Sequence, residues 1–229
     1  MNDYVLFGVL PYVVMVVFLV VTIQRYRMKA FSYSSLSSQF LENQHHFWGS
    51  VPFHYGILVV LFGHILAFFI PKAVLAWNAA PLRLMLLEVT GIAFAILTLV
   101  GLANIVLRRF GNRLTRKVTT RGDWVVYGLL LVQVLSGIGV AVFHGWGSSW
   151  FATNLTPWLW SLVKLAPDVS YVAPLPVLVK LHIVSAFLLI GIFPFTRLVH
   201  VLVVPNPYLW RRTQVVIWNW DRSKLRSHN

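Results

Sequence analysis

Four histidines, His54, His64, His182 and His200, lie inside two long apolar stretches of the chain. An ionisable side chain is expensive in hydrocarbon, so each is a functional candidate by position alone. Two on one segment and two on another can clamp two iron porphyrins, each held axially by one imidazole from each segment. The rival use of such groups is proton relay in a proton-coupled transporter, which predicts a colourless protein. The sequence contains no cysteine. Iron–sulfur clusters, covalent c-type haem, disulfides and thiolate catalysis are thereby excluded for this chain, and any metal must be held by nitrogen or oxygen.

The elements that must position these rings are membrane spans. The chain has 229 residues, of which 58% are hydrophobic and 11% charged, and its mean hydropathy is +0.74. Apolar runs of about 18 residues or more recur along it, the pattern of an all-α, multi-pass integral membrane protein. Five transmembrane helices are expected at about 4–23, 51–70, 84–107, 124–143 and 175–203. No internal repeat is visible, so residues 1–229 read as a single domain, with 206–229 a basic, Trp-containing tail.

The formal net charge of +13 is not a nucleic-acid signature, because its distribution follows the spans. Arg25, Arg27 and Lys29 follow the first, and Arg108, Arg109, Arg113, Arg116, Lys117 and Arg121 separate the third from the fourth. Arg197, Arg211, Arg212, Arg222, Lys224 and Arg226 close the chain, while only Lys72, Arg83, Lys164 and Lys180 stand opposite. Cations gather in cytoplasmic loops, which places the N-terminus outside and the C-terminus in the cytoplasm. Asp3 precedes the first span and cations follow it, the reverse of a cleaved signal's charge order. The segment 144–174, with Trp146, Trp150, Trp158 and Trp160, is expected to lie along the outer interface, where indole rings prefer to sit. The tail's Trp210, Trp218 and Trp220 fit a lipid anchor or a docking surface for a cytoplasmic partner. His45 and His46 fall in a cytoplasmic loop, His144 at the outer end of the fourth span, and His228 in the tail.

An odd number of crossings separates the second span from the fifth, so the two run in opposite directions. His54 must then face His200 on the inner side, and His64 must face His182 further out. Eighteen residues from His182 to His200 make five whole turns, which puts both rings on one face. Ten residues from His54 to His64 leave those rings roughly 80° apart, and the axial rises differ, roughly 15 Å against roughly 27 Å. Tilt and a kink at Pro194 could absorb that mismatch. Gly56 and Gly63, seven residues apart on the second span, would let a flat macrocycle approach the backbone. Arg197, one turn before His200, and Lys180, two residues before His182, could meet haem propionates.

With these residues in place the chain resembles the gamma subunit of membrane-bound respiratory nitrate reductase, a di-haem cytochrome b. The resemblance is carried by Phe53-His54-Tyr55-Gly56-Ile57-Leu58 continuing to Gly63-His64, and by Lys180-Leu181-His182 continuing to Phe193-Pro194-Phe195-Thr196-Arg197-Leu198-Val199-His200. Ser37-Ser38-Gln39 and Thr119-Thr120-Arg121-Gly122-Asp123 add to it, and it runs over essentially the whole chain. It implies two non-covalent b haems, the outer on His64 and His182 and the inner on His54 and His200. It also implies a multi-pass protein of the prokaryotic inner membrane, serving anaerobic respiration. Quinol would be oxidised near the outer haem, with electrons delivered inward to an iron–sulfur subunit and a molybdenum catalytic subunit. The family's quinol site has a lysine near the start of the third span, where this chain carries Arg83. Arginine can hydrogen-bond a quinone oxygen but does not release its proton, which makes Glu88 the better proton acceptor. A haem b anchor of a related hydrogenase, heterodisulfide-reductase-like or sulfite-pathway complex would share the same histidine logic.

Overall fold

In a computed structural model of the chain, residues 3–28 and 46–202 are described. Lys29, His45, the Ser37-Ser38-Gln39 stretch and the tail at 206–229 with His228 lie outside them. Every regular element among the described residues is helical. In order these are α1 (Leu10–Met28, entered by a π turn at Val5–Val9), α2 (His46–Phe69), α3 (Pro71–Asn78), α4 (Pro81–Gly111), α5 (Arg113–Lys117), α6 (Arg121–Phe143), α7 (Gly147–Trp150), α8 (Thr156–Val163) and α9 (Val177–Ile192). Five helices are long and apolar enough to cross a membrane. They correspond to the five expected spans, with different ends. α2 starts at His46, so that residue opens a helix and is not in a loop. α4 is 31 residues long because Pro81 starts it and its tail continues through the basic stretch to Gly111.

The order of the helices in space follows from a few contacts. At one end, Arg25 on α1 donates to the carbonyls of Pro194 (2.6 Å) and Thr196 (3.0 Å) beyond α9. Asn104 on α4 reaches the Trp48 carbonyl on α2 at that end, and Arg197 reaches the Val118 carbonyl just before α6. Arg25 and Arg27 of α1, Arg108 and Arg109 of α4, the cations of α5 and Arg197 therefore share one end of the bundle, while Arg83 at the start of α4 stands at the other. At the opposite end, Lys180 pairs with Asp3 at 2.7 Å and Thr156 donates to the Ala67 carbonyl.

α2 and α4 approach closely because small residues line their seam. A methyl on Gly56 would sit 2.7 Å from the Phe94 carbonyl, and one on Gly101 would sit 2.7 Å from the Phe53 Cα. Small residues serve this purpose in membranes, where packing replaces the hydrophobic drive between helices. Gly56 faces Thr98 and the Phe94 carbonyl on α4. Gly63 has open space around its Cα.

The fifth span is the other departure. The regular helix stops at Ile192; Phe193–Phe195 and Arg197–Leu202 are short 3-10 turns joined by extended Thr196. Pro194 supplies no N–H and its ring crowds the preceding turn, which favours a break in the α-helix there. Freed carbonyls inside a membrane need donors, and the Arg25 guanidinium supplies them.

The segment 144–174 packs in part into the helix bundle. Trp146 is exposed, but Trp158 is only 1% exposed: it donates to the Phe7 carbonyl and stands edge-on to Phe7 and Phe187. The segment is thereby fastened to α1 and α9, and Trp160 stacks on Phe68 at the end of α2.

Candidate functional site

His54 stands opposite His200 with ring centroids 6.1 Å apart, and His64 stands opposite His182 at 6.5 Å. An imidazole nitrogen binds a transition metal at about 2.0 Å and lies about 1.1 Å from its ring centre, so two rings on opposite sides of one metal sit about 6.2 Å apart. Both separations fit one metal per pair. Among the described residues no group of three or more His, Cys, Asp and Glu side chains converges. Each pair consists of two imidazoles alone, a donor set compatible with a porphyrin iron.

The remaining ring nitrogens are all engaged. His54 Nδ1 donates to the Ser50 carbonyl at 2.7 Å, His64 Nδ1 to that of Val60 at 2.8 Å, and His200 Nδ1 to that of Arg197 at 2.7 Å. His182 Nδ1 lies 3.1 Å from the Gln133 carbonyl and 3.0 Å from Ser136 Oγ, both on α6. With Nδ1 carrying the proton, Nε2 is the acceptor nitrogen of each ring, the tautomer that ligating histidines use. The Gln133 side-chain amide donates to His182 Nε2 at 3.2 Å while its oxygen accepts from Ser185.

The two expected propionate partners are committed elsewhere. Arg197 Nε pairs with the buried Asp123 carboxylate at 3.0 Å, and Lys180 divides its ammonium between Asp3 and the Ala173 carbonyl. Arg83 and Glu88 both belong to the start of α4 but turn to different neighbours. The Arg83 guanidinium lies over the Trp77 ring at 5.4 Å. Glu88 Oε1 accepts from the Ser148 amide at 2.9 Å and from its hydroxyl at 2.7 Å. Three residues along, Phe151 meets the His64 ring edge-on at 5.3 Å, so a single short segment connects Glu88 to the His64–His182 pair.

The family model for the nitrate reductase gamma subunit matches residues 3–219. The chain belongs to that family. It is 33% identical to the nitrate reductase gamma chain of Bacillus subtilis over 92% of its own length and 96% of the relative's. To the respiratory nitrate reductase 2 gamma chain of Escherichia coli it is 32% identical, over 92% of this chain and 94% of that one. It also matches a nitrate reductase-like protein of Mycobacterium tuberculosis at 32% identity, over 89% of this chain but only 32% of that longer one. As a member of the gamma subunit family it is a membrane subunit of a nitrate reductase, and its five apolar helices are those of a multi-pass protein.

Reading the sequence overlooked Gln133, Ser136 and Ser185 around His182 and the role of Asp123. A signal existed: Gln133 and Ser136 are polar residues inside an apolar span, where polar groups need partners.

Proposed function

We propose that this gamma subunit oxidises quinol near the outer face of the prokaryotic inner membrane and conveys the electrons inward through two b haems. One haem would be held by His64 and His182, the other by His54 and His200. The observation that carries this reading is the pair of ring separations, 6.1 and 6.5 Å, each suited to one shared metal. When bound, the haems supply one-electron redox chemistry that the side chains lack.

The chain's own residues do the rest. The carbonyls at Ser50, Val60, Gln133 and Arg197 hold each Nδ1 proton, which leaves Nε2 the acceptor nitrogen and orients each ring. Glu88 takes a proton from the quinol hydroxyl, its side chain held in place by the Ser148 amide and hydroxyl. Arg83 holds the other quinone oxygen as a fixed cation. Quinol then yields quinone, two protons on the outer side and two electrons. The positive-inside rule supports the orientation, because the His54–His200 pair lies at the basic end. A groove of about 610 Å³ between Trp48, Asn104, Arg108 and Arg113 at that end fits the docking of an iron–sulfur subunit that feeds a molybdenum catalytic subunit.

Haem analysis and low-temperature spectra of the purified complex test the reading. Two low-spin b centres per chain are expected. His54→Ala and His200→Ala should abolish one of them, and His64→Ala and His182→Ala the other. Loss of the same centre from His54→Ala and His64→Ala overturns the assignment.

A further inference from the structure

The two imidazoles beyond the start of α9 are held differently from the two on α2. His54 and His64 donate to carbonyls one turn back on their own helix. His182 turns to α6, where Ser136 Oγ (3.0 Å) and the Gln133 carbonyl (3.1 Å) share its Nδ1 proton. Ser136 in turn donates to that same carbonyl at 3.1 Å, which orients its lone pair toward the ring. His200 is tied to α6 indirectly. Its Nδ1 proton goes to the Arg197 carbonyl, while the Arg197 side chain binds Asp123 and the Val118 carbonyl. The second oxygen of Asp123 accepts from the Thr120 amide in the capping box that starts α6.

These contacts have a mechanical reason. α9 ends at Ile192 and extended Thr196 follows, so His182 and His200 do not ride on one rigid rod. α6 is unbroken from Arg121 to Phe143 and touches both ring supports.

We infer that α6, which carries none of the four paired histidines, is the positioning element for both imidazoles of the fifth span. Ser136, beside the Gln133 carbonyl, tunes the donor strength of His182, and Asp123, acting through Arg197, sets the segment that presents His200. This rests on the axial ligation proposed above. An acceptor on Nδ1 makes the opposite nitrogen a stronger donor and favours the oxidised metal, so its removal raises the midpoint potential of that centre.

Redox titration of the purified holo-complex, read by optical spectra and EPR, tests the inference. Ser136→Ala is expected to raise the potential of the His64–His182 centre and alter its g values, leaving the other centre unmoved. Ser136→Thr keeps the hydroxyl and should restore the wild-type values. Asp123→Asn should shift only the His54–His200 centre, and both variants should retain two haems per chain. The inference is overturned if neither centre moves, if both move together in either variant, or if Ser136→Thr behaves as Ser136→Ala. Failure of the underlying ligation reads differently: wild-type protein lacks the two b centres, or His182→Ala retains both.

Discussion

Gly101 on α4 meets Phe53 on α2 backbone to backbone, so closely that a methyl group there would lie 2.7 Å from the Phe53 Cα and 2.8 Å from the Gly49 carbonyl. The neighbour of Phe53 is His54, and the helix seam therefore sets the depth of the His54 ring. Gly101→Val must push α2 away from α4. Overpacking of this kind costs about 1–3 kcal/mol, more where backbone is the obstacle. A lower thermal midpoint of the purified complex is expected, with the His54–His200 centre disturbed before the other.

Gly137 makes a smaller but more local approach. A methyl there would sit 2.9 Å from His182 Cε1, whereas one on Gly63 meets nothing within 4 Å. Gly137→Ala should rotate the His182 ring and change the spectrum of the His64–His182 centre alone. Gly63→Ala should leave helix packing untouched, so equal thermal midpoints for Gly63→Ala and wild type are expected.

Glu88 is fixed by Ser148, and the charge needed to accept a proton disappears in Glu88→Gln. Loss of a positioned general base slows turnover by about 10²–10⁴-fold. Quinol oxidation should fall by that order with haem content unchanged. Arg83→Ala should act mainly on KM, since Arg83 is assigned to binding. Wild-type kinetics in both variants would move the quinol site away from the start of α4.

Arg25 satisfies carbonyls released by the break at Pro194 and Thr196. Arg25→Met leaves those acceptors without its charged donor, a loss of about 1–3 kcal/mol. Lower thermal stability is expected, together with a broadened signal from the His54–His200 centre, which lies just beyond the break. An unchanged melting curve and spectrum would show that other donors suffice.

Much of this architecture is legible because a membrane imposes simple rules. Hydropathy delimits five spans, since every backbone group in lipid must be bonded within its own helix. The parity of the crossings dictates which histidine can face which, and the side chains do face in that order. Gln133 shows where such reading stops. Its type marks it as needing a partner, but nothing in the chain's order says that the partner is His182, 49 residues away.

The linear chain by itself determined the number of spans, their alternating direction, the gathering of cations at one end and the four histidines inside the spans. Only the tertiary structure decided how far the rings lie apart, where α9 gives way to extended Thr196, and which neighbours claim Gly56, Lys180, Arg197 and Trp158. The physical reason is range. Hydropathy and charge order act along the chain and against the bilayer, whereas short hydrogen bonds and backbone-to-backbone approaches depend on how one helix rotates and slides against another.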